Sequence, residues 1–164
     1  MIWRLATRAD PFARDIADRH YNRQKIGAPQ FVPPGRCLML TCETSTGKAL
    51  WVSSWPFAEY VQHAWGGAWL CSAFRNEGAG KASDLIRDAV SATRYFWGEP
   101  PELGMVTFVD RAKITPKRDP GHCFIIAGFR PAGETKGGLP ALQLLPQNMP
   151  AAEPAFGFQL GLIA

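Results

Sequence analysis

The sequence predicts an α+β domain, and three observations carry that reading. Short runs rich in apolar and β-branched residues recur at Cys37–Cys42, Ala49–Trp55, Ala68–Phe74 and Gly104–Asp110, each bounded by turn residues. One longer run, with Leu85, Ile86, Ala89, Val90, Thr93, Phe96 and Trp97, repeats at helical spacing. Strands and helices do not alternate strictly, because a hairpin precedes the long helix and a second hairpin closes the chain.

The chain has 164 residues, enough for one domain with a substantial core. Apolar residues make up 46% and charged residues 20%, an ordinary globular balance. The net charge of +4 permits an anionic partner without requiring one. No apolar run is long enough to span a bilayer, and the start of the chain has no signal-peptide core. A cytoplasmic protein with no membrane partner is therefore expected. Cys37, Cys42, Cys71 and Cys123 have no CxxC spacing, so buried thiols in a reducing compartment are expected, with no metal site.

Taken in order, Ile2–Leu5 reads as a short strand. Asp10 caps a helix with Pro11 at its first position, and Phe12, Ile16 and His20 share one face. Three prolines and two glycines make 24–35 a loop. The runs at 37–42 and 49–55 form a hairpin around the turn Ser45–Lys48. A third strand, Ala68–Phe74, leads into a glycine loop and the long helix, which Gly98-Glu99-Pro100-Pro101 ends. Gly104–Asp110 is a strand with an acidic end. A basic turn-rich stretch follows, then a short helix at Cys123–Ala127 capped by Gly128. Residues 129–133 and 139–145 form the last hairpin. The domain is placed at 1–145, with a tail at 146–164 that packs on it or on a second subunit, which leaves a homodimer open.

The glycine loop is the most informative stretch. Arg75-Asn76-Glu77-Gly78-Ala79-Gly80-Lys81-Ala82 lies between a strand and a helix. Glycine lets backbone amides approach an anion without a Cβ in the way. The following helix adds unpaired N–H groups and the positive end of its dipole, a combination that binds phosphate. It is not a P-loop, because Arg75 stands at the first glycine and Ala82 at the hydroxyl position. Nor is it a dinucleotide fingerprint, because Ser83 replaces the third glycine. An unliganded strand–helix turn is the alternative.

The pattern Arg-x-x-Gly-x-Gly resembles the pyrophosphate loop of the GNAT N-acetyltransferase superfamily, and the element order matches that fold. The resemblance implies a mixed, mostly antiparallel central sheet flanked by helices. It also implies an acetyl-CoA or other acyl-CoA cofactor. On that reading the backbone of Gly78, Ala79, Gly80, Lys81 and Ala82 grips the pyrophosphate, with Arg75 assisting or solvated. An N–H from Leu70, Cys71, Ser72 or Ala73 meets the thioester carbonyl.

Four further pieces resemble the Mom family of bacteriophage DNA-modification proteins: His20-Tyr21-Asn22-Arg23, Ala73-Phe74, Thr107-Phe108-Val109-Asp110 and Gly121–Phe129. This resemblance runs from about His20 to Leu145 and implies a host-cytoplasm protein that acylates an amine of a DNA base. It places His20, Tyr21 and Asp110 at the family's active-site motifs. Two departures stand out. The loop is more like an ordinary acetyl-CoA loop than the Mom segment. Phe124 also stands where those families carry the tyrosine that protonates the leaving thiolate.

Residue chemistry alone allows Asp110 or His20 as a base, and Tyr21, His20 or His122 as an acid. Arg19, Arg23 and Lys25 surround His20 and Tyr21, while Arg111, Lys113, Lys117 and Arg118 follow Asp110. Both clusters suit phosphate contacts to DNA, or are solvated loops. Trp51, Trp55, Trp65 and Trp69 read as core or cleft walls; one of them could stack on a base, but the sequence singles none out. Three functions stay open: transfer to a DNA-base amine, acetylation of a small amine or protein lysine, and a binding module that has lost catalysis.

Overall fold

A computed structural model describes residues 1–7, 35–61, 63–110 and 121–157. Nine elements are named here. They are β1 (Arg4–Ala6), β2 (Gly35–Thr44), β3 (Gly47–Pro56), β4 (Trp69–Glu77), α1 (Ala82–Trp97), β5 (Met105–Phe108), α2 (His122–Ile126), β6 (Arg130–Glu134) and β7 (Pro140–Leu144). The strands form one seven-stranded sheet in the order β1-β2-β3-β4-β5-β7-β6. The β4–β5 pair is parallel and the other neighbours are antiparallel, so the sheet is mixed and mostly antiparallel. The fold is α+β, as the pattern predicts. The expected N-terminal helix from Asp10 lies outside the described residues.

The β2–β3 hairpin turns on Ser45-Thr46, with Thr44 opposite Gly47. Both strands run ten residues, longer than their apolar stretches, because the ladder continues through Glu43 opposite Lys48. That length draws β4 out as well. Asn76 and Arg75 pair with Ala49 and Leu50, so β4 reaches Glu77 rather than stopping at Phe74. Arg75 is therefore a strand residue and not part of the loop.

α1 lays Leu85, Ile86, Ala89 and Val90 on one face of the sheet, against Leu40, Trp51, Trp69 and Met105. A polar chain crosses this core. Trp51 Nε1 donates to Ser53 Oγ at 2.7 Å, Ser53 and Thr93 share a hydrogen bond of 2.6 Å, and Thr93 Oγ1 donates to the Ala89 carbonyl at 2.8 Å. Each polar atom of this chain is thereby satisfied, which is the condition for placing it there, while Trp69 Nε1 in the same core has no hydrogen-bond partner among the described residues. On the opposite face Met39, Leu50, Val52 and Ala73 form one apolar cluster, and Ala68, Leu70, Val106 and Ala141 another.

Residues 146–157 cross α1 and end beside β1. The Glu153 N–H donates to the Ser91 carbonyl, and Phe156 exchanges backbone hydrogen bonds with Trp3 and Leu5 at 2.8 and 2.9 Å. Trp3, wholly buried, donates from Nε1 to the Leu85 carbonyl in the first turns of α1 at 2.8 Å. The cysteines are less uniform than expected. Cys42 and Cys71 are buried, but Cys37 and Cys123 are only half-buried, and none of the four is in a disulfide.

Gly104 opens β5 with φ +65°, and a Cβ there would lie 2.0 Å from the Leu144 carbonyl oxygen. That contact is backbone on backbone, so β5 or β7 must move to relieve it. We expect Gly104→Ala to cost about 2–4 kcal/mol, from left-handed strain plus overpacking. Urea unfolding at equilibrium measures it, and a loss under about 0.5 kcal/mol would show that the β5–β7 pairing is less rigid than this geometry implies.

Candidate functional site

Where β4 and β5 run side by side, only Trp69–Met105 and Leu70–Val106 are in register. Beyond those pairs the strands separate. β5 is held over all four of its residues by β7, while β4 is held by β3 out to Asn76. A register shift between Val52 and Ser53 leaves Ser72 as an extra residue on β4, and such a bulge bends its strand away from a straight course. Ser72 is pinned there by a hydroxyl–hydroxyl hydrogen bond to the buried Ser54. At the fork, Thr107 Oγ1 donates to the Cys71 carbonyl at 3.3 Å, so a side chain serves an acceptor that the parallel ladder does not reach.

From the open end of β4 the chain enters Gly78–Lys81 and then α1. The hairpin turn holds this loop by its carbonyls. Thr46 Oγ1 donates to the Gly78 carbonyl at 2.6 Å and Thr44 Oγ1 to the Ala79 carbonyl at 3.0 Å. Asn76 clamps it twice, accepting the Ala79 N–H at 3.0 Å and donating to the Gly80 carbonyl at 2.8 Å. In a trans peptide the N–H points opposite to its carbonyl. With the Ala79 and Gly80 carbonyls drawn towards Thr44 and Asn76, the Gly80 and Lys81 N–H groups point away from them.

The two loop glycines differ in what the fold requires. Gly78 has φ +86°, and its Cβ would lie 2.9 Å from the Thr46 carbonyl oxygen, so the turn itself explains it. At Gly80 a Cβ would meet nothing closer than Leu85 Cδ2 at 4.0 Å, and its φ is not in the left-handed region. The fold does not need a glycine there. α1 begins with Lys81 as its cap residue in an extended conformation and with no side-chain cap. Its first intrahelical bond, from Leu85 N–H to the Lys81 carbonyl at 3.1 Å, leaves the N–H groups of the first turn ahead of it.

The structure thus gathers Leu70, Cys71, Ser72, Ala73, Gly78, Ala79, Gly80, Lys81 and Ala82 along one strand and the loop it enters. Arg75 stands apart in an ion pair with Glu77 at 2.9 Å. Phe124 is buried inside a ring cluster, with centroids 5.3 Å from Phe129, 6.0 Å from Phe74 and 6.4 Å from Trp51. His122 is exposed on α2. Burial raises the Cys71 thiol far above its ordinary range, a shift its hydrogen bond with Thr107 only partly opposes. Cys71 is thus a protonated thiol and no nucleophile. Cys42 is likewise pushed up to about 11 by burial. Among the described residues no group of three His, Cys, Asp or Glu side chains comes together as a metal would require. His20, Tyr21, Arg19, Arg23 and Lys25, with Arg111, Lys113, Lys117 and Arg118, lie outside the described residues.

Asp110 is half-buried just beyond the end of β5. Along that strand Met105 and Val109 pack on the α1 face, while Val106 and Phe108 pack on the opposite one. The Val109 N–H still donates to the Pro140 carbonyl at 3.0 Å, so pairing with β7 reaches Val109, the residue before Asp110. Two features there escape a sequence reading. One is the group of His63, Trp65 and Phe108, in which Phe108 lies more than forty residues after the other two. The other is the loop clamp by Asn76, for which an Asn two residues before a glycine was the available signal.

His63 accepts the Trp65 N–H at Nδ1, at 3.0 Å, so its neutral ring carries the proton on Nε2. Burial lowers its pKa from 6.5. The unfolded chain therefore takes up the proton first as pH falls. The stability tied to neutral His63 is complete above about 6.5 and is lost as pH drops from there to the lower folded value. We expect wild type to lose more urea resistance than His63→Gln between about pH 7.5 and about pH 5, and parallel losses would contradict this.

Comparison of the chain with protein-family models, with curated proteins and with solved structures gives no match.

Proposed function

We propose that this chain is a GNAT-like acyltransferase that moves an acetyl or other acyl group from acyl-CoA to an amine, with an amine of a DNA base as the leading acceptor. The observation that carries the reading is the opening of the parallel β4–β5 pair ahead of an uncapped helix, joined by a loop whose Gly80 the fold does not need. A pyrophosphate at that loop would meet outward amides and the positive end of α1. Asp84 in the first turn adds a negative charge, and Lys81 beside it offsets this. The pantetheine arm would lie in the gap between β4 and β5, which fixes the thioester beside the acceptor. Positioning of that kind supplies most of the rate in such a transfer.

In the transfer the amine nitrogen attacks the thioester carbonyl carbon. The C–S bond breaks, the amine loses a proton to a base, and the CoA thiolate takes up a proton. Asp110 is the described candidate for the base. Phe124 cannot donate the second proton, which would come from His122, from His20 or Tyr21, or from solvent. The buried setting of Phe124 also favours a second reading, in which the fold keeps its ligand but not its chemistry and acts as a binding module.

Thermal unfolding with coenzyme A separates these from an unliganded fold. At about 100 times its Kd, a ligand that binds only the folded state stabilises by about 2.7 kcal/mol, or roughly 5–10 °C for a chain of this size. We expect Gly80→Asp to keep the ligand-free melting temperature, since its Cβ has room, and to lose most of the shift. No shift in wild type would end the transferase reading. If the shift is present, mass spectrometry of nucleosides from DNA made with the protein tests the acceptor. We expect a modified nucleoside with wild type and none with Asp110→Ala.

A further inference from the structure

We propose that Trp65, Phe108 and His63 form a stacking shelf for a flat nitrogen heterocycle of the nucleobase class, presented towards Asp110. The role of Asp110 rests on the transferase reading, whereas the shelf can be tested without any reaction. The three rings meet with centroids 5.7 Å apart for Trp65–Phe108, 5.0 Å for His63–Phe108 and 6.1 Å for His63–Trp65. Every contact is tilted, at 57°, 56° and 39°, so no ring lies flat on another and their faces make a corner. All three are half-buried, and Trp65 and Phe108 pack against the cluster of Ala68, Leu70, Val106 and Ala141.

The corner is fixed in place. Phe108 belongs to β5 and pairs with Ala141 of β7. His63 is tied to the Trp65 backbone by its Nδ1. The Trp65 ring edge runs under β6, where a Cβ on Gly133 would lie 3.6 Å from Cζ2. A pre-set aromatic surface of this kind costs little ordering when a ring docks on it. Asp110 follows Phe108 by two residues, and strand alternation continued through Val109 would put an exocyclic amine on a stacked ring on the carboxylate's side of the sheet. Two aromatic faces beside a carboxylate could also hold an ammonium. The chain's excess of 18 Lys and Arg over 14 Asp and Glu favours the anionic partner, an unpaired nucleobase on its phosphate backbone, over a cationic one.

The test is fluorescence anisotropy with two labelled single strands of about 12 nucleotides, one of deoxyadenosine and one abasic throughout. Wild type should bind the base-bearing strand more tightly. Trp65→Ala and Phe108→Leu should each lower that affinity roughly 5- to 100-fold, leave the abasic strand unchanged, and Trp65→Phe should keep most of the preference. Equal affinity of wild type for the two strands, or a preference that survives both Trp65→Ala and Phe108→Leu, overturns the shelf. So does preferential binding of a trimethyl-lysine peptide that the oligonucleotide fails to displace. The coenzyme A melting shift, read on the same samples, reports the cofactor loop separately, so the shelf can fail while that shift persists, and the reverse.

Discussion

The site depends on one feature of the sheet: β4 and β5 pair over two residues only. Each is already committed on its other edge, β4 to β3 as far as Asn76 and β5 to β7 along its whole length. A parallel pair gains little per residue and needs both strands to keep a common twist. The bulge at Ser72 denies β4 that course, and the Ser54–Ser72 hydrogen bond makes the bulge part of the buried structure. After two residues the pair opens, and Thr107 closes the fork with its hydroxyl. The opening thus accompanies the bulge on β4 and the pairing of β5 with β7.

A gap alone would bind nothing in particular. What gives it direction is that α1 is seated with little freedom at its start. The Trp3 indole holds the Leu85 carbonyl, the Ser53–Thr93 pair fixes the helix further along, and residues 146–157 lie across it. The loop ahead of the helix is tied to a hairpin turn by two threonines and to β4 by Asn76. Three of these ties take up a carbonyl, and the fourth takes up the Ala79 N–H, which leaves the Gly80 and Lys81 N–H groups facing outward. Amides held outward in this way are preorganised donors, and donors that need not reorganise are worth more than those that must.

Much of this was legible in the sequence because it follows local rules. The hairpin, the helix from 82 to 97, its stop at Gly98 and the short helix before Gly128 all carry period or punctuation. The glycine loop was legible for the same reason. The extension of β4 through Arg75 was not, since a charged residue on a strand end looks like loop until its partner Leu50 is known. Nor could spacing reveal that His63 and Trp65 come to rest against Phe108, more than forty residues later. That contact is set by sheet order, which places β5 between β4 and β7 and brings the segment before β4 over its end. Sequence also could not tell Gly78 from Gly80, because only the nearness of Thr46 separates a glycine the turn demands from one it does not.

The burial of Phe124 bears on how any transfer here could end. Its ring packs among Trp51, Phe74 and Phe129, and only 8% of it is exposed. Three aromatic neighbours offer a hydroxyl no strong acceptor, so a tyrosine at this place would bury an O–H at a cost of about 1–3 kcal/mol unless its oxygen reached the gap. Phenylalanine avoids that cost and contributes packing. The consequence is a dry aromatic wall with no proton donor at residue 124. Under the proposed transfer, the leaving thiolate would have to take its proton from a group other than residue 124. Were no other donor at hand, the proposed transfer would be slowed at expulsion of the CoA thiolate rather than at attack by the amine.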